Sequence, residues 1–436
     1  MGRQSWVMSW ALALFSYGLY RQREIYMLAV APKGIPTAYF AHGNATSACK
    51  LIEDPVDARF RFCEDMKMLP DDGKAGGQIL LSCDPGRREW NTVLGFLIDP
   101  KPRGGLWLYS YGSGEPELKK LTFVGFPDSA TFHPLGVDTF PDPSGGLRIF
   151  ATNLGKERAT IELFHLPDPR ASEPVATYIA TVWHPSFLSP NSLAAVSPTS
   201  FYVTHDHRWP ARLFTPYLSL FETLIKVPRG WVDLVYFDEK KGRVSKLQHV
   251  APNIPFANGI SISPDHKTVA VASSTESNIY LYDRDATTNM LKYKTRVHMP
   301  QHPDNIDYAK DGTLYVAGHP FFLDLMKVAK GKPGAVSASW ITSVTTATEE
   351  MQLDADANTL DWQKKWDDHF ADSQAPYPHH MRTTIGREHV VKTVYQSDGS
   401  LDGGFGTSSS ALMDKERRFV FITGLYERGL LQCKMD

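Results

Sequence analysis

Short apolar segments that follow glycine or aspartate turns recur along the chain from Gln78 onward. Their length and their β-branched and aromatic side chains are typical of strands. We predict strands at Gln78–Ser82, Leu106–Tyr111, Leu147–Thr152, Ser200–Thr204, Thr268–Ser273, Thr313–Gly318 and Phe419–Thr423. Second strands follow several of these segments closely, at Thr160–Phe164, Asn278–Tyr282 and Gly429–Cys433.

This repetition predicts an all-β fold, because helical periodicity is scarce and is clearest between Leu213 and Lys226. Radial repetition of four-stranded units leaves only short, protected sheet edges, and about six such units can be counted. We therefore predict a six-bladed β-propeller with four-stranded blades, formed by residues 26–436 as one domain. The strand ending at Cys433 should pair with an early strand near Cys49, so that the two ends of the chain close together. A β-sandwich is the alternative, but sandwiches rarely reach this length as one domain.

The segment 335–388 departs from this pattern. It contains a Ser/Thr-rich stretch, then the acidic stretch Glu349–Asp356, then the polar stretch Trp362–His369, for which we predict a helix. Long connections of this kind lie on the surface of compact domains. We therefore predict a surface insertion over 335–388.

An apolar run from Trp6 to Tyr20 lies near the N-terminus, with arginines on both sides. Its 15 residues fall short of the roughly 20 that a helix needs to cross a bilayer. The run predicts a signal peptide or a retained signal anchor within residues 1–25; the alternative is a buried N-terminal helix. A signal implies the secretory pathway, with a secreted protein or one that associates with a membrane through this segment. Asn44, in the sequon Asn44-Ala45-Thr46, is then a candidate glycosylation site.

Composition narrows the function classes. The chain has 436 residues, of which 42% are hydrophobic and 22% charged, as is ordinary for a globular protein. A net charge of −2 and the lack of a basic run argue against a nucleic-acid partner. The four cysteines contain no Cys-x-x-Cys pair, which argues against a zinc site. Cys49 and Cys433 lie near the two ends of the folded region, which suggests a bridge formed in an oxidising compartment.

Two polar turns carry side chains suited to chemistry. Asn258 stands beside Gly259 directly before a strand, and Asp304 and Asn305 occupy a similar place before the next one. Amide and carboxylate oxygens are the ligands that hard cations prefer, and a bound cation polarises a carbonyl group. The alternative is that these residues only shape their turns.

The motifs of this chain, taken in order, resemble those of the serum paraoxonase/arylesterase family. The resemblance runs from about Cys49 to the C-terminus, interrupted by the insertion. Its motifs are Glu64-Asp65-Met66 with Leu69-Pro70, His133-Pro134-Leu135-Gly136-Val137, Ala159-Thr160-Ile161-Glu162-Leu163-Phe164, Pro190-Asn191 with Ala195-Val196, Phe201-Tyr202 with Asp206-His207, Phe256-Ala257-Asn258-Gly259, Asp304-Asn305, and Gly318-His319-Pro320. The resemblance implies a six-bladed propeller that hydrolyses lactones and aryl esters with calcium.

The resemblance also implies a catalytic calcium at the bottom of the central tunnel. Its ligands would be Glu64, Asn191, Asn258, Asp304 and Asn305. All five offer oxygen, and the two carboxylates offset the charge of the cation. Calcium would act as a Lewis acid on the substrate carbonyl, and calcium with Asn258 or Asn191 would hold the developing oxyanion.

A second, structural calcium of the family is only partly matched. The family holds it with an Asp after the matched Glu, a backbone carbonyl and an Asp after the first Asn. Asp65 matches the first position and Val137 could supply the carbonyl, but the third position is Ser192. The resemblance therefore leaves the second calcium open.

The general base is also open. The two histidines that activate water in the family fall on Leu135 and Leu154, which cannot accept a proton. His133, two residues before Leu135, is one alternative. Asp206, flanked by two histidines and matching a family active-site aspartate, is the other. His319 matches a family histidine near the pocket.

We expect from these observations a calcium-dependent hydrolase whose partner is a small lactone or ester. The pair Cys49–Cys433 also matches the family's disulfide. One alternative is a non-catalytic propeller that keeps calcium for stability and binds a ligand or a protein, which Leu135 and Leu154 favour. Another is a propeller enzyme of other chemistry, similar to gluconolactonase or strictosidine synthase.

Overall fold

The fold is seen in a computed structural model of the chain. It describes Leu12, Ser16 and residues 34–71, 76–98, 104–127, 130–347, 383–385, 388–400 and 404–436. The first strands are β1 (Tyr39–Phe40), β2 (Cys49–Ile52), β3 (Cys63–Met68), β4 (Gly77–Cys83), β5 (Trp90–Asn91), β6 (Phe96–Leu97), β7 (Gly105–Tyr111), β8 (Glu117–Lys120), β9 (Thr122–Val124), β10 (Pro134–Pro141), β11 (Leu147–Leu154), β12 (Ala159–Leu166), β13 (Val175–Val182), β14 (Pro190–Ser197) and β15 (Ser200–His205).

The remaining strands are β16 (Gly230–Asp238), β17 (Arg243–Ile254), β18 (Ala257–Ile262), β19 (Thr268–Ser273), β20 (Asn278–Arg284), β21 (Leu291–His298), β22 (His302–Tyr308), β23 (Leu314–His319), β24 (Ser339–Thr346), β25 (Thr383–Ile385), β26 (His389–Ser397), β27 (Ser408–Asp414), β28 (Phe419–Gly424) and β29 (Leu430–Lys434). The helices are α1 (Ala45–Ala48), α2 (Pro216–Leu224) and α3 (Phe322–Ala329).

These strands form a six-bladed β-propeller, which confirms the predicted fold. The blades, each given from its inner to its outer strand, are β3-β4-β7-β8, β10-β11-β12-β13, β14-β15-β16-β17, β18-β19-β20-β21, β22-β23-β24-β26 and β27-β28-β29-β2, and we number them one to six. The inner strands contact one another in sequence, and β27 contacts β3 to close the ring. Residues at corresponding places on the inner strands therefore converge on one axis, although they are distant in the sequence.

The ring closes where the two ends of the described chain pair. Strand β2 is antiparallel to β29, with Cys49 opposite Cys433 in the register, and a disulfide joins these two residues. The predicted closure and the predicted disulfide are confirmed. Blade six thus takes three strands from the C-terminal end and one from the N-terminal end.

All ten predicted strands are present. The seven that follow turns each combine β-branched or aromatic residues with the turn before them. The predicted helix at Leu213–Lys226 is shorter than expected, at Pro216–Leu224. Thr215 ends the non-helical segment by accepting the Leu218 N–H through its side chain, and Pro216 then begins the helix.

The predicted start of the insertion, at residue 335, is too early in the sequence. Residues 339–346 form β24, whose side chains are buried except for its last two, and pair with β23 and β26 inside blade five. This strand is rich in Ser and Thr and so lacks a clear hydrophobic pattern, although β-branched threonine suits a strand. The predicted helix at Trp362–His369 lies outside the described residues.

Apolar side chains fill the space between neighbouring blades. Between blades two and three, Phe150, Phe201 and Phe237 pack with ring centroids 5.9–6.4 Å apart. Edge-on packing of this kind adds to the hydrophobic effect of burial. The core therefore lies between the blades and leaves the axis to polar side chains.

The predicted signal within residues 1–25 lies outside the described residues, apart from Leu12 and Ser16. Within the part of the chain that is described, no helix has the length and apolar character needed to span a membrane.

Candidate metal-binding and active site

Each of the six inner strands has a β-bulge near its N-terminal end. The pairing register breaks at 63–65, 134–137, 190–193, 257–260, 303–306 and 408–410. A bulge re-aims the residues that it contains, which would otherwise alternate between the two faces of the sheet. The predicted metal ligands lie inside four of these bulges, at Glu64, Asn191, Asn258 and the pair Asp304–Asn305.

Neighbouring inner strands approach each other very closely beside two of the bulges. A Cβ atom added at Gly136 would lie 2.6 Å from the Cα atom of Ser192, and one added at Gly259 would lie 2.7 Å from the Cα atom of Asn305. Real Cβ atoms essentially never lie that close to backbone, so only glycine fits. The close approach at Gly259 brings Asn258 of blade four within hydrogen-bond reach of Asp304 of blade five.

Hydrogen bonds within this group orient the three asparagine amides. The amide nitrogens donate from Asn258 to Asp304 Oδ1 at 2.6 Å, from Asn305 to Glu64 Oε1 at 3.0 Å and from Asn191 to Asp206 Oδ2 at 3.0 Å. Four buried oxygens then lack a hydrogen-bond partner among the described residues: Glu64 Oε2, Asn191 Oδ1, Asn258 Oδ1 and Asn305 Oδ1. Buried oxygens without partners are costly, so a group of four such oxygens fits a bound ligand.

The chemistry of this group fits a hard cation. Two carboxylates and three amides offer only oxygen, which is the donor set that calcium takes in proteins. Burial first, and then the neighbouring carboxylates of Asp65 and Asp304, raise the pKa of Glu64 well above its usual range. A divalent cation would offset this crowding of negative charge. The residues present therefore fit the calcium that the family resemblance implies.

An apolar pocket, partly open to solvent, lies beside this group of ligand candidates. Its polar floor includes Glu64, Asn191, Asn258 and Asp304. Apolar side chains from α2, α3, the β5–β6 connection and several loops form most of its wall: Val93, Leu94, Leu135, Leu224, Phe256, Phe322, Leu325 and Leu425. A shape of this kind receives a mostly apolar small molecule and directs its polar end at the floor.

The predicted base Asp206 lies beside the ligand group but does not line the pocket. It is 2% exposed, and its Oδ1 lies 2.8 Å from His207 Nδ1. His207 Nε2 lies 2.8 Å from the hydroxyl of Thr223, which does line the pocket. Asp206 thus reaches the pocket through two other side chains. The sequence motif contains His207, but nothing in the sequence pointed to Thr223.

The other predicted base, His133, lies behind the pocket wall. Its Nδ1 is 2.8 Å from Asp84 Oδ2, both side chains are buried, and its ring centroid lies 6.0 Å from that of Trp90. His133 is not among the residues that line the pocket, whereas Leu135 is. The strand bulge after Pro134 changes the alternation that would have placed both side chains on one face.

Two other histidines lie in the pocket wall. His319 Nε2 is 3.1 Å from Asp304 Oδ2, which places it against the predicted ligand group. His302 Nδ1 is 3.0 Å from the Ser274 carbonyl oxygen, and burial lowers the pKa of His302 to about 4. His302 is therefore neutral near pH 7.

The residues that the family resemblance assigns to a second calcium are engaged in other contacts. Both oxygens of Asp65 already accept hydrogen bonds: Oδ1 from the Met66 N–H and the Ser410 hydroxyl, and Oδ2 from the Val137 N–H at 3.0 Å. Val137 presents its N–H to Asp65, and Ser192 offers no carboxylate. These residues do not fit a second calcium.

A second disulfide, which we did not predict, joins Cys63 to Cys83. The two cysteines face each other across β3 and β4, directly before Glu64. Their separation of 20 residues allows the two cysteines to face each other across a β-hairpin, so this spacing in the sequence could have indicated the bridge. This bridge anchors the inner strand at the bulge that carries Glu64.

The sequon residue Asn44 lies on the surface at the N-cap of α1. Its side-chain oxygen accepts the N–H of Thr46 at 2.9 Å, which leaves the amide nitrogen on the exposed side. An exposed asparagine amide is what glycosylation requires.

The sequence comparisons identify one family. Residues 90–352 match the model of the arylesterase family. The chain is 30% identical over 245 residues to mouse serum paraoxonase/arylesterase 1, covering 55% of this chain and 64% of that protein. It is 27% identical over 288 residues to the human protein of the same name, covering 65% and 73% respectively. A luciferin-regenerating enzyme structure covers 92% of this chain and 95% of its own at 12% identity, with a TM-score of 0.43.

Proposed function

This chain belongs to the arylesterase family, and we propose from that premise that it is a calcium-dependent hydrolase of lactones or aryl esters. One observation carries the proposal: three unpaired buried oxygens, from Glu64, Asn191 and Asn258 on three different blades, lie on the floor of an apolar pocket, and a fourth, Asn305 Oδ1, lies on a side chain that contacts Glu64. The donor set suits calcium, and the pocket suits a small ester or lactone. Since the chain spans about 64% of the mouse relative, the activity of the whole relative is part of this proposal.

When bound, calcium would supply Lewis acidity toward the substrate carbonyl. The protein residues would hold it: Glu64, Asn191, Asn258, Asp304 and Asn305. We assign the oxyanion contact to Asn191 in preference to Asn258. Both amide protons of Asn258 are used, by Ser274 at 3.0 Å and by Asp304, whereas the Asn191 nitrogen donates to Asp206 and carries a second proton.

The pocket wall favours substrates with an aromatic or aliphatic body. Leu135, Phe256 and Phe322 would contact that body, while the floor receives the carbonyl end. Exclusion of water by such a wall strengthens every electrostatic contact on the floor. Arg87, which is 3% exposed, lines the pocket and adds one positive charge.

A non-catalytic propeller is the second candidate. Leu135 and Leu154 pack together with Ala159 at the positions of the family's proton-accepting histidines. A protein that binds calcium for stability alone would keep the metal-binding residues of the pocket floor and would need no general base.

Two measurements on the full-length protein separate these candidates. Calcium titration by isothermal calorimetry, with melting temperatures in calcium and in chelator, tests the metal. Hydrolysis of phenyl acetate and of a panel of γ- and δ-lactones tests the reaction. Calcium binding with hydrolysis supports the enzyme, and calcium binding with no hydrolysis supports the non-catalytic propeller. No calcium binding removes both.

We also propose that the protein passes through the secretory pathway and carries a glycan at Asn44. Two disulfides support an oxidising compartment, and the exposed sequon supports the glycan. Expression in animal cells should give a protein whose mass falls after glycosidase treatment, and Asn44→Gln should abolish that change. A wild-type protein of unmodified mass would contradict the glycan.

A further inference from the structure

A buried line of hydrogen bonds runs from the pocket wall to a predicted calcium ligand. Thr223 Oγ1 lies 2.8 Å from His207 Nε2, and His207 Nδ1 lies 2.8 Å from Asp206 Oδ1. Asp206 Oδ2 in turn accepts from Asn191 Nδ2 at 3.0 Å. Thr223, His207 and Asp206 are 6%, 1% and 2% exposed, and of these three only Thr223 lines the pocket.

The carboxylate of Asp206 sets the tautomer of His207. A carboxylate only accepts, so the proton of the neutral ring lies on Nδ1, and Nε2 becomes an acceptor. The Thr223 hydroxyl lies between two acceptors, the Ser219 carbonyl on the preceding turn of α2 at 3.0 Å and His207 Nε2 at 2.8 Å, and in the relay it donates to the nearer one, Nε2. A hydroxyl, an imidazole and a carboxylate in this order form a competent proton-transfer unit.

We propose that Thr223 is the pocket end of a proton relay, Thr223–His207–Asp206, which replaces the base that Leu135 and Leu154 cannot supply. The proposal rests on the hydrolase function proposed above. It accounts for how Asp206, which does not line the pocket, can still serve the reaction.

The proton path balances over the reaction. As the oxygen of a water molecule bonds to the ester carbon, one of its O–H bonds breaks and the proton passes to Thr223 Oγ1. The Thr223 proton passes at the same time to His207 Nε2, and Asp206 stabilises the resulting imidazolium. When the tetrahedral intermediate collapses, its bond to the leaving oxygen breaks, and the proton returns through Thr223 to that oxygen. Thr223 touches the reacting groups, whereas His207 and Asp206 act through it.

Kinetics on three variants test the relay. Thr223→Val removes the hydroxyl while keeping the shape, and should lower kcat by about 100-fold or more with KM and calcium affinity unchanged. Thr223→Ser keeps the hydroxyl and should recover most of kcat. Tyr217→Phe, at an 83% exposed position of the same helix, is the control and should match wild type. Full kcat in Thr223→Val would overturn the relay.

A second readout does not depend on activity. In protein labelled with nitrogen-15 histidine, His207 should carry its proton on Nδ1, and the Nε2 resonance should shift in Thr223→Val but not in Tyr217→Phe. A proton on Nε2 of His207 would overturn the relay even in an active enzyme. A wild-type protein with the expected tautomer but no hydrolysis would instead remove the hydrolase function, so the two failures are distinguishable.

A separate cluster lies farther along the inner strands and is independent of the relay. Lys67 Nζ of blade one lies 2.5 Å from Asp307 Oδ1 of blade five and 3.8 Å from Asp138 Oδ1 of blade two. The ammonium of Lys67 thus contacts two buried carboxylates that come from two other blades. Lys67 therefore stays a cation on the axis.

Hydrogen bonds extend this cluster to the other three blades. Asp138 Oδ2 accepts the Ala195 N–H of blade three at 2.8 Å, and Asp307 Oδ1 accepts the Ser261 hydroxyl of blade four at 2.9 Å. The neighbouring Asp65 of blade one accepts the Ser410 hydroxyl of blade six at 3.2 Å. One ammonium and three carboxylates thus connect all six inner strands.

We infer that Lys67 is a tethered cation that holds the inner strands together where the family resemblance implies a second calcium. The Lys67 ammonium then takes the place of the calcium that Asp65, Val137 and Ser192 do not fit. Because the ammonium is covalently part of the chain, a chelator cannot remove it, and its contacts between the inner strands persist.

Calcium stoichiometry and melting temperature test this inference. Equilibrium dialysis of wild type should find at most one calcium per chain, and two would overturn the inference. Lys67→Met should lower Tm by about 5 °C in chelator, because it leaves buried carboxylates unpaired. The control Lys294→Met, which removes an exposed pair with Asp283 at 3.5 Å, should not change Tm. Equal Tm values for Lys67→Met and wild type would also overturn it.

Discussion

Asn305 Nδ2 contacts Glu64 twice, at 3.0 Å from its Oε1 and at 3.2 Å from its backbone carbonyl, across 241 positions of sequence. The contact joins blade five to blade one. It also leaves Asn305 Oδ1 and Glu64 Oε2 without partners in the described chain. Two amide nitrogens of the site join inner strands, from blade four to blade five and from blade five to blade one, and the unpaired oxygens would hold the proposed cation.

Removing one carboxylate from this group should weaken calcium binding. Asp304→Asn keeps the size of the side chain but removes one of two negative charges, so we expect calcium affinity to fall by about 100-fold or more and kcat to fall with it. Calorimetry and hydrolysis of phenyl acetate measure the two effects. Asp283→Asn, in an exposed pair, is the control. Unchanged calcium affinity in Asp304→Asn would place the metal elsewhere.

The close approach of β18 and β22 should matter for stability and calcium affinity as much as the ligand side chains do. In Gly259→Ala the new Cβ would lie 2.7 Å from backbone atoms of Asp304, Asn305 and Ile306, which must therefore shift. We expect both Tm and calcium affinity to fall. Gly155→Ala, where the nearest atom is 3.1 Å away, should cost less in Tm and nothing in calcium affinity. The opposite ranking would contradict the role given to the Gly259 contact.

His133 should prove structural. Replacing it with Phe leaves the buried carboxylate of Asp84 without its 2.8 Å partner, so the free energy of unfolding should fall by about 2–4 kcal/mol. Because His133 lies outside the pocket lining, the folded protein should keep its kcat. Chemical denaturation and steady-state kinetics measure these quantities. A large loss of kcat at unchanged stability would restore His133 as the base.

The two disulfides should differ in what they protect. Removing Cys49–Cys433 with paired alanines opens the ring closure, and the chain-entropy model assigns so long a loop roughly 4–5 kcal/mol. Removing Cys63–Cys83 frees the strand that carries Glu64, so calcium affinity should fall more than in the first variant. Tm and calcium titrations on both variants make the comparison. Equal calcium affinities would contradict this division.

Glu427 should make stability depend on pH. Burial is the largest cause that raises its pKa from 4.5 to about 7, opposed by a hydrogen bond from the Gly406 N–H. The folded protein therefore holds this proton more tightly than the unfolded chain. The stabilisation is complete below pH 4.5 and is lost as pH rises to about 7. At about 1.4 kcal/mol per pKa unit, the loss is at most roughly 3.5 kcal/mol.

Urea denaturation of wild type and Glu427→Gln across this range measures the effect. The glutamine variant still accepts from Gly406 and should lose this part of the pH dependence. An identical pH dependence in the two proteins would show that Glu427 titrates normally.

Much of the fold could be predicted from local sequence. Thr268–Ser273 and Phe419–Thr423 combine β-branched or aromatic residues with preceding turns, and such segments form strands almost regardless of context. The order of motifs in the sequence also identified the family. Residues 339–346 were misassigned, because a buried strand rich in Ser and Thr has no clear hydrophobic alternation.

The identity of the metal-ligand candidates was determined by the sequence alone, since each stands in a motif with a defined place in the family. Their alignment as one group was decided by tertiary structure: the bulges re-aim Glu64, Asn191 and Asn258, and only the closed ring brings blades one, three, four and five to one axis. Thr223 and Lys67 illustrate the same limit. The proposed role of each depends on contacts with residues of other elements. Local sequence carries no information about which elements a closed propeller brings together.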